Sequence, residues 1–232
     1  GTVALLSLTS KKAEAAESSV SRMLQAILKY KPGRSLVSFT QEEVPWVWSE
    51  KKQKQLFRTV ITESPAALAK KASAAMGKPI SVPAFTIATL MASEAGDQPD
   101  VAKVAIAHAA LTNARKDPDR LVKILTATPK HTTTGGGKFG SQHGRYATTA
   151  RPPSAHDVEL ADAILDGILG NPTPGAIQWD SPSAQNKLSS KGVDGYDKNA
   201  KAIAEIRRRE GKVPVYLSSV EPSQLRLWRP AA

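Results

Sequence analysis

Apolar residues recur at the spacing of one helical face along most of the chain, which predicts a mainly helical protein. Helix ends are marked by turn residues, such as Ser64 and Pro65 at one start and Gly77 at the following stop. Helices are predicted over residues 12–30, 51–61, 64–76, around Glu94, 99–115 after a cap at Asp97 or Gln98, 118–126, 155–169 closed by Gly170, and 197–210. Residues 35–50 are predicted to be extended or irregular, and Ile177 and Trp179 alternate as in a short strand. The runs "VPVYLSS" and "LRLWR" are also extended, either paired with each other or lying along the body.

Glu94 interrupts an apolar helical face. Ile87, Leu90 and Met91 share that face, and the next position on it is Glu94, just before Ala95-Gly96. An apolar setting and the negative end of the helix dipole both favour the protonated carboxylic acid near neutral pH. A general acid in glycoside cleavage needs this condition. The alternative is a surface residue at a frayed helix end or in a salt bridge.

Two prolines in "PISVP" at 79–83 predict a domain boundary near residue 80. The predicted division is an N-terminal basic helical extension over 1–80, a central domain over 81–185 and a basic C-terminal extension over 186–232 packed on the core. The stretch from "TPKH" to "RPPS" has few aliphatic residues and is too long for an idle loop. In the first region, Trp46 and Trp48 would share a strand face, either as core or interface residues or as a stacking surface.

The charge of the chain is uneven. The net charge is +11, with 13 basic against 6 acidic residues in 1–80, 9 against 10 in 81–180, and 10 against 5 in 181–232. The basic flanks favour a polyanion such as nucleic acid, an anionic wall polymer or a negatively charged assembly surface. With no cysteine, disulfides, thiol nucleophiles and cysteine-ligated zinc are excluded. No apolar run approaches the roughly 20 residues of a membrane span.

Four short motifs occur one after another along the chain. They are Glu94-Ala95-Gly96-Asp97-Gln98, "VAIAHAALTN" at 104–113, "FGSQ" at 139–142, and "NPTPGA" at 171–176 with Trp179 and Pro182 beyond it. From about residue 85 to 182 the chain resembles the cell-wall hydrolase family whose best-known members are the spore cortex-lytic enzymes. The family's corresponding motifs are Glu-Ala-Arg-Gly-Glu, Val-Ala-x-Ala-x-x-x-Leu-Asn-Arg, a Phe-containing polar stretch and Asp-Pro-Thr-x-Gly-Ala. This chain departs from them at Gln98, at Thr112-Asn113 and at Asn171.

The resemblance implies a lysozyme-like domain that cuts peptidoglycan between N-acetylmuramic acid and N-acetylglucosamine, with Glu94 as the catalytic residue. In a lytic transglycosylase, one acid protonates the glycosidic oxygen and then acts as base while the sugar's 6-hydroxyl closes a 1,6-anhydro ring. A hydrolytic mechanism would need a second carboxylate, and Asp97, Asp100 and Asp180 are candidates against capping or turn roles. A sugar groove also needs hydroxyls, amides and an aromatic platform. The substrate-binding candidates are Phe139, Ser141, Gln142, Tyr146, Thr148 and Trp179, with core packing as the alternative for Trp179.

Other motifs give weaker indications. The spacing of His131, His143 and His156 fits no metal site, and His108 is expected to be a hydrogen-bonded histidine on a helix face, so no metal and no cofactor are predicted. The run "TTTGGGKFG" lacks the pattern of a phosphate-binding loop. "RRR" at 207–209 is either a solvated helix end or a contact for a polyanion.

We therefore expect an α+β, mostly α, lysozyme-like glycosidase, either a lytic transglycosylase or a muramidase. Its expected partner is peptidoglycan, with phage virion or tail proteins or an anionic wall polymer as further candidates, and nucleic acid is not favoured. The expected location is extracytoplasmic, in the cell wall or periplasm, or within a virion. The alternative is a non-catalytic structural or binding protein of the virion or cell wall that keeps a lysozyme-like scaffold.

Overall fold

The structure is a computed structural model that describes residues 34–49, 53–126, 151–192, 196 and 198–231. These residues form a mixed α and β fold, of which about half is helical. The helices are α1 (Pro65–Met76), α2 (Val82–Ala95), α3 (Asp100–Asn113), α4 (Pro118–Thr126), α5 (Ala155–Leu165), α6 (Pro182–Ser190) and α7 (Ala200–Arg209). The strands are β1 (Gln41–Ser49), β2 (Lys54–Ile61), β3 (Gln178–Asp180), β4 (Lys212–Val215) and β5 (Arg226–Pro230).

Helix α2 lies at the centre of the core and packs against α1, α3, α4 and α5. Most of its residues are buried, and four of the buried ones are alanines, as are many of those on α3. Small side chains let the helix axes approach closely, so α2 can be covered by neighbours on several sides. The cap predicted at Ser64 is confirmed, since Ser64 accepts a hydrogen bond from Ala67 N. Ser81, which was not predicted, caps α2 in the same way by accepting from Ala84 N.

Strands β3, β5 and β4 form an antiparallel sheet with β5 in the middle. Of the two arrangements left open for the C-terminal extended runs, the structure shows the paired one, because β4 and β5 are neighbours in this sheet. On one face of the sheet, Trp179 and Leu227 are opposite each other and pack against the core. The last strand of the chain is thus the one that holds β3 in place.

Strand β2 corrects one sequence prediction. A helix was predicted over 51–61, but residues 54–61 form a strand paired antiparallel with β1. The described part of the predicted helical extension therefore combines a β-hairpin with α1. Residues on both sides of the boundary predicted near 80, such as Leu68 and Ile87, belong to one buried cluster.

Two smaller differences concern helix ends. The helix predicted over 155–169 ends at Leu165, because Gly167 turns the chain with a φ of 71°. Neither Asp97 nor Gln98 caps α3, whose N-cap is Pro99 without a side-chain hydrogen bond.

Helix α6 was not predicted. The helices over 64–76, 118–126 and 197–210 are confirmed within two or three residues. The predicted helix over 12–30 and the side chains of Trp46 and Trp48 lie outside the described part of the structure.

Candidate active site

Glu94 lies in the last turn of α2, where the apolar face of the helix reaches the surface. Leu90 and Met91, one turn earlier, are fully buried, whereas the Glu94 side chain is partly buried. The sequence-predicted stripe therefore exists, and its final position is a carboxylate at the rim of the core. Such a position combines an apolar surrounding with partial exposure to solvent.

The indole of Trp179 contacts this carboxylate. Trp179 Nε1 donates a hydrogen bond of 3.2 Å to Glu94 Oε2, although the two residues are 85 positions apart. The Trp179 ring also packs against the buried cluster, so the sheet fixes the direction of its N–H group. The core packing that was one of the two interpretations of Trp179 from sequence is confirmed, whereas its role as an aromatic platform for a sugar stays a prediction.

Arg151 meets the same end of α2 from another segment. Its backbone N–H donates to Ser93 Oγ at 3.0 Å, and its guanidinium lies 3.6 Å from Asp97 Oδ2. Arg151 was not among the residues predicted from sequence. The available signal was the following Pro152-Pro153 pair, which holds the preceding backbone extended and gives Arg151 a defined approach to the helix.

Asp180 is engaged on the opposite side of β3 from Trp179. Successive side chains of a strand point to opposite faces, and Asp180 accepts hydrogen bonds from Arg226 Nε and Trp228 Nε1, both at 3.0 Å. Arg226 also lies over the Trp228 ring, 4.7 Å from its centroid. Asp180 is therefore a structural anchor of a strand, not a turn residue, and not a second carboxylate beside Glu94.

Asp97 and Asp100 have different surroundings. Asp97 is 91% exposed and caps no helix, whereas Asp100 is in the first turn of α3 and is bound by His156 Nε2 at 2.8 Å. The hydrogen bond from His156 lowers the pKa of Asp100, against the opposing effect of partial burial. Asp100 thus joins α3 to α5.

A buried ion pair strengthens the same junction. Lys103 Nζ lies 2.8 Å from Asp157 Oδ1, and both side chains are almost fully buried. Asp157 Oδ2 also accepts from the backbone N–H of Ser154 as part of a capping box at the start of α5. Both oxygens of the Asp157 carboxylate therefore have a partner. The ion pair fixes α5, and with it the preceding residues from Arg151 onward, relative to α2 and α3.

The remaining sequence candidates divide into two groups. Phe139, Ser141, Gln142, Tyr146 and Thr148 lie outside the described residues, as do His131 and His143. The hydrogen-bonded role predicted for His108 is confirmed, since its Nε2 lies 2.9 Å from Leu169 O.

Two further findings concern the described residues as a set. Within them, no group of three or more His, Asp or Glu side chains is arranged to hold a metal ion. Among the same residues, no helix has both the length and the apolar character that a membrane crossing requires.

Comparison with known proteins adds no relative. No protein-family model, no curated protein and no solved structure matches the chain. The functional interpretation therefore depends on the residues and contacts described above, of which the Glu94–Trp179 pair is the most specific.

Proposed function

We propose that this protein is a peptidoglycan-cleaving glycosidase in which Glu94 is the acid/base residue. The observation that carries the proposal is a partly buried carboxylate at a helix end, held by the indole N–H of Trp179. A carboxylate with a fixed orientation at the edge of an apolar core can hold a proton and deliver it to a glycosidic oxygen. The order and spacing of the cell-wall hydrolase motifs over residues 85–182 support the choice of substrate.

Within this proposal, a lytic transglycosylase is favoured over a muramidase. Hydrolysis needs a second carboxylate, but Asp100 and Asp180 are engaged by His156 and Arg226 respectively. The polar stretch over residues 127–150 contains no Asp or Glu at all. Asp97 is the remaining sequence candidate for a second carboxylate, and it is almost fully exposed.

One carboxylate is enough for the transglycosylase reaction. Glu94 gives its proton to the glycosidic oxygen. The bond from that oxygen to the anomeric carbon of N-acetylmuramic acid breaks, and N-acetylglucosamine leaves with the oxygen as its hydroxyl group. The 6-hydroxyl of the same muramic acid forms the new bond to the anomeric carbon and returns its proton to Glu94. No water is consumed, and the enzyme ends in its starting protonation state. The proposed setting is the cell wall, the periplasm or a virion.

The test is release of muropeptides from purified peptidoglycan by the wild type, Glu94→Gln and Glu205→Gln. Glu205 is an exposed residue of α7, so its replacement is a matched control for the same chemical change. Removing a general acid is expected to lower the rate by at least about 100-fold, while the control keeps wild-type activity.

Mass spectrometry of the products distinguishes the reactions. Anhydro-muramyl ends are expected, reducing muramyl ends would indicate a muramidase, and free stem peptides would overturn the glycosidase proposal in favour of an amidase. Equal release by the wild type and Glu94→Gln, or no release by either, would overturn the role of Glu94. Tight binding of the wild type to insoluble peptidoglycan without release would favour the non-catalytic wall-binding protein.

A further inference from the structure

The main chain of Arg151 is fixed by a hydrogen bond at the end of α2, the helix that carries Glu94. The hydroxyl of Ser93, the residue before Glu94, donates to Thr89 O at 2.7 Å and accepts from Arg151 N at 3.0 Å. Because one donor and one acceptor position of this hydroxyl are used, its direction and that of the Arg151 backbone are set by α2. This hydrogen bond is made by the Arg151 main chain and does not involve the guanidinium.

The guanidinium lies over Gly96. A Cβ added to Gly96 would be 3.2 Å from Arg151 Nη1 and 2.6 Å from Ala92 O. A residue with a side chain would therefore be too close to its neighbours at this position. Gly96 is two residues beyond Glu94, about 3 Å along a helix axis. Side chains two positions apart point to different sides of a helix, so Arg151 meets the same last turn of α2 as the candidate acid, at a different position around the helix axis.

Among the described residues, the ionic partner of this guanidinium is Asp97, which leaves most of its N–H donors for a ligand. Its side chain is 58% exposed, and Asp97, at 3.6 Å, is itself 91% exposed. Exposed ion pairs at such a separation contribute little and exchange readily with other partners. A guanidinium offers five N–H donors in a planar fork that fits a carboxylate with two parallel hydrogen bonds.

We propose that Arg151 binds a carboxylate of the substrate at the helix end that carries Glu94 and so selects glycan strands with acidic peptide stems over neutral ones. This inference rests on the proposed function and adds a specificity-determining residue to it. Peptidoglycan differs from neutral amino-sugar polymers in the acidic groups attached to every second sugar. An arginine at the same helix end as the bond-cleaving acid recognises that difference with two parallel hydrogen bonds and sets the register of the strand.

The test compares two substrates that differ only in charge. Soluble glycan strands with intact acidic stems are used beside the same strands after chemical amidation of their carboxylates. The variants are Arg151→Gln, Arg151→Lys and the control Arg120→Gln, which removes an exposed arginine in the first turn of α4. Wild type and control are expected to prefer the acidic strands by about tenfold in kcat/KM, mainly through KM.

In Arg151→Gln, this preference is expected to fall to less than about twofold, and Arg151→Lys is expected to be intermediate because it keeps the charge and loses the fork. Unchanged preference in Arg151→Gln, or an equal loss on both substrates, would overturn the inference. If Arg151→Gln does not fold, as judged by circular dichroism, the same comparison is made with Arg151→Lys.

A binding measurement separates this inference from the proposed function. Glu94→Gln and the double variant Glu94→Gln/Arg151→Gln are titrated with both kinds of fragment, which requires no turnover. Weaker binding of only the acidic fragment by the double variant supports the carboxylate site even if no cleavage occurs. Equal binding by the two proteins would refute it even if the wild type proves to be an active glycosidase.

Discussion

At the scale of single residues, the indole of Trp179 is a positioning group for Glu94. Replacing Trp179 by Phe keeps an aromatic ring against the core and removes the N–H donor. Hydrogen bonds to charged groups contribute about 1.5–3 kcal/mol. We expect kcat on peptidoglycan to fall by about tenfold or more, with a shifted pH profile and little change in KM.

Trp228 provides the matched control for this experiment. It also donates its indole N–H to a carboxylate, that of Asp180, but on the other face of the sheet. Trp228→Phe is expected to lower the free energy of unfolding and to leave the pH profile of cleavage unchanged. The role of Trp179 would be contradicted by identical kinetic changes in the two variants.

Asp100 and His156 predict an acid dependence of stability. The hydrogen bond from His156 lowers the pKa of Asp100 from its ordinary 3.8, so the unfolded chain binds a proton at this residue more readily than the folded chain. The stabilisation is therefore complete above pH 3.8 and is lost as the pH falls through the lower, folded value. Denaturant unfolding as a function of pH measures it.

Asp100→Asn is expected to be less stable than the wild type at neutral pH and to show a smaller loss of stability on acidification. Asp119→Asn, on the exposed first turn of α4, is the control and should keep the wild-type dependence. Parallel acid unfolding curves for the wild type and Asp100→Asn would show that this pair does not contribute.

Individual residues were predictable from sequence where a local pattern defined them. The apolar stripe before Glu94 identified the acid because helical periodicity acts within one element. The partners of that acid come from β3 and from the segment before α5, and no local pattern encodes such distances in the chain. Asp180 was misjudged for the same reason, since its partner Arg226 is 46 positions away.

At the scale of secondary-structure elements, Gly96 controls how α2 ends. A Cβ at this position would be 2.6 Å from Ala92 O, closer than side-chain carbons pack, and would also press on Arg151. We expect Gly96→Ala to lower the free energy of unfolding by about 1–3 kcal/mol and to reduce cleavage. Gly170→Ala is the control, because a Cβ there meets no atom within 4 Å. Similar stability of the two variants would contradict the close approach.

Elements were predictable where turn residues mark their ends, as Ser64, Pro65 and Gly77 do for α1. Strand β2 was missed because its conformation is fixed by pairing with β1, and strand formation depends strongly on such context. Helix α6 has a single large apolar residue, Leu188, so it lacks a stripe. Its one signal was the Ser181-Pro182 start, which repeats the cap of α1.

At the scale of the whole molecule, the C-terminal region completes the candidate site. Among the described strands, β3, which carries Trp179, lies at the edge of its sheet and pairs with β5, near the C-terminal end of the described residues. We expect a fragment of residues 81–185 to lose cleavage, because β3 then has no strand to pair with. The full chain with Arg229→Gln, an exposed change on β5, should stay active. Full activity of the fragment would show that the C-terminal residues are dispensable.

The hydrogen bond between Trp179 and Glu94 also makes the acid observable by spectroscopy. The chain has four tryptophans, so a nitrogen-15 spectrum contains four indole N–H signals. The signal of Trp179 should move when Glu94 gains or loses its proton, while that of Trp228 reports on Asp180. Saccharide added during such a titration would reveal, without any turnover, whether the sugar reaches the carboxylate.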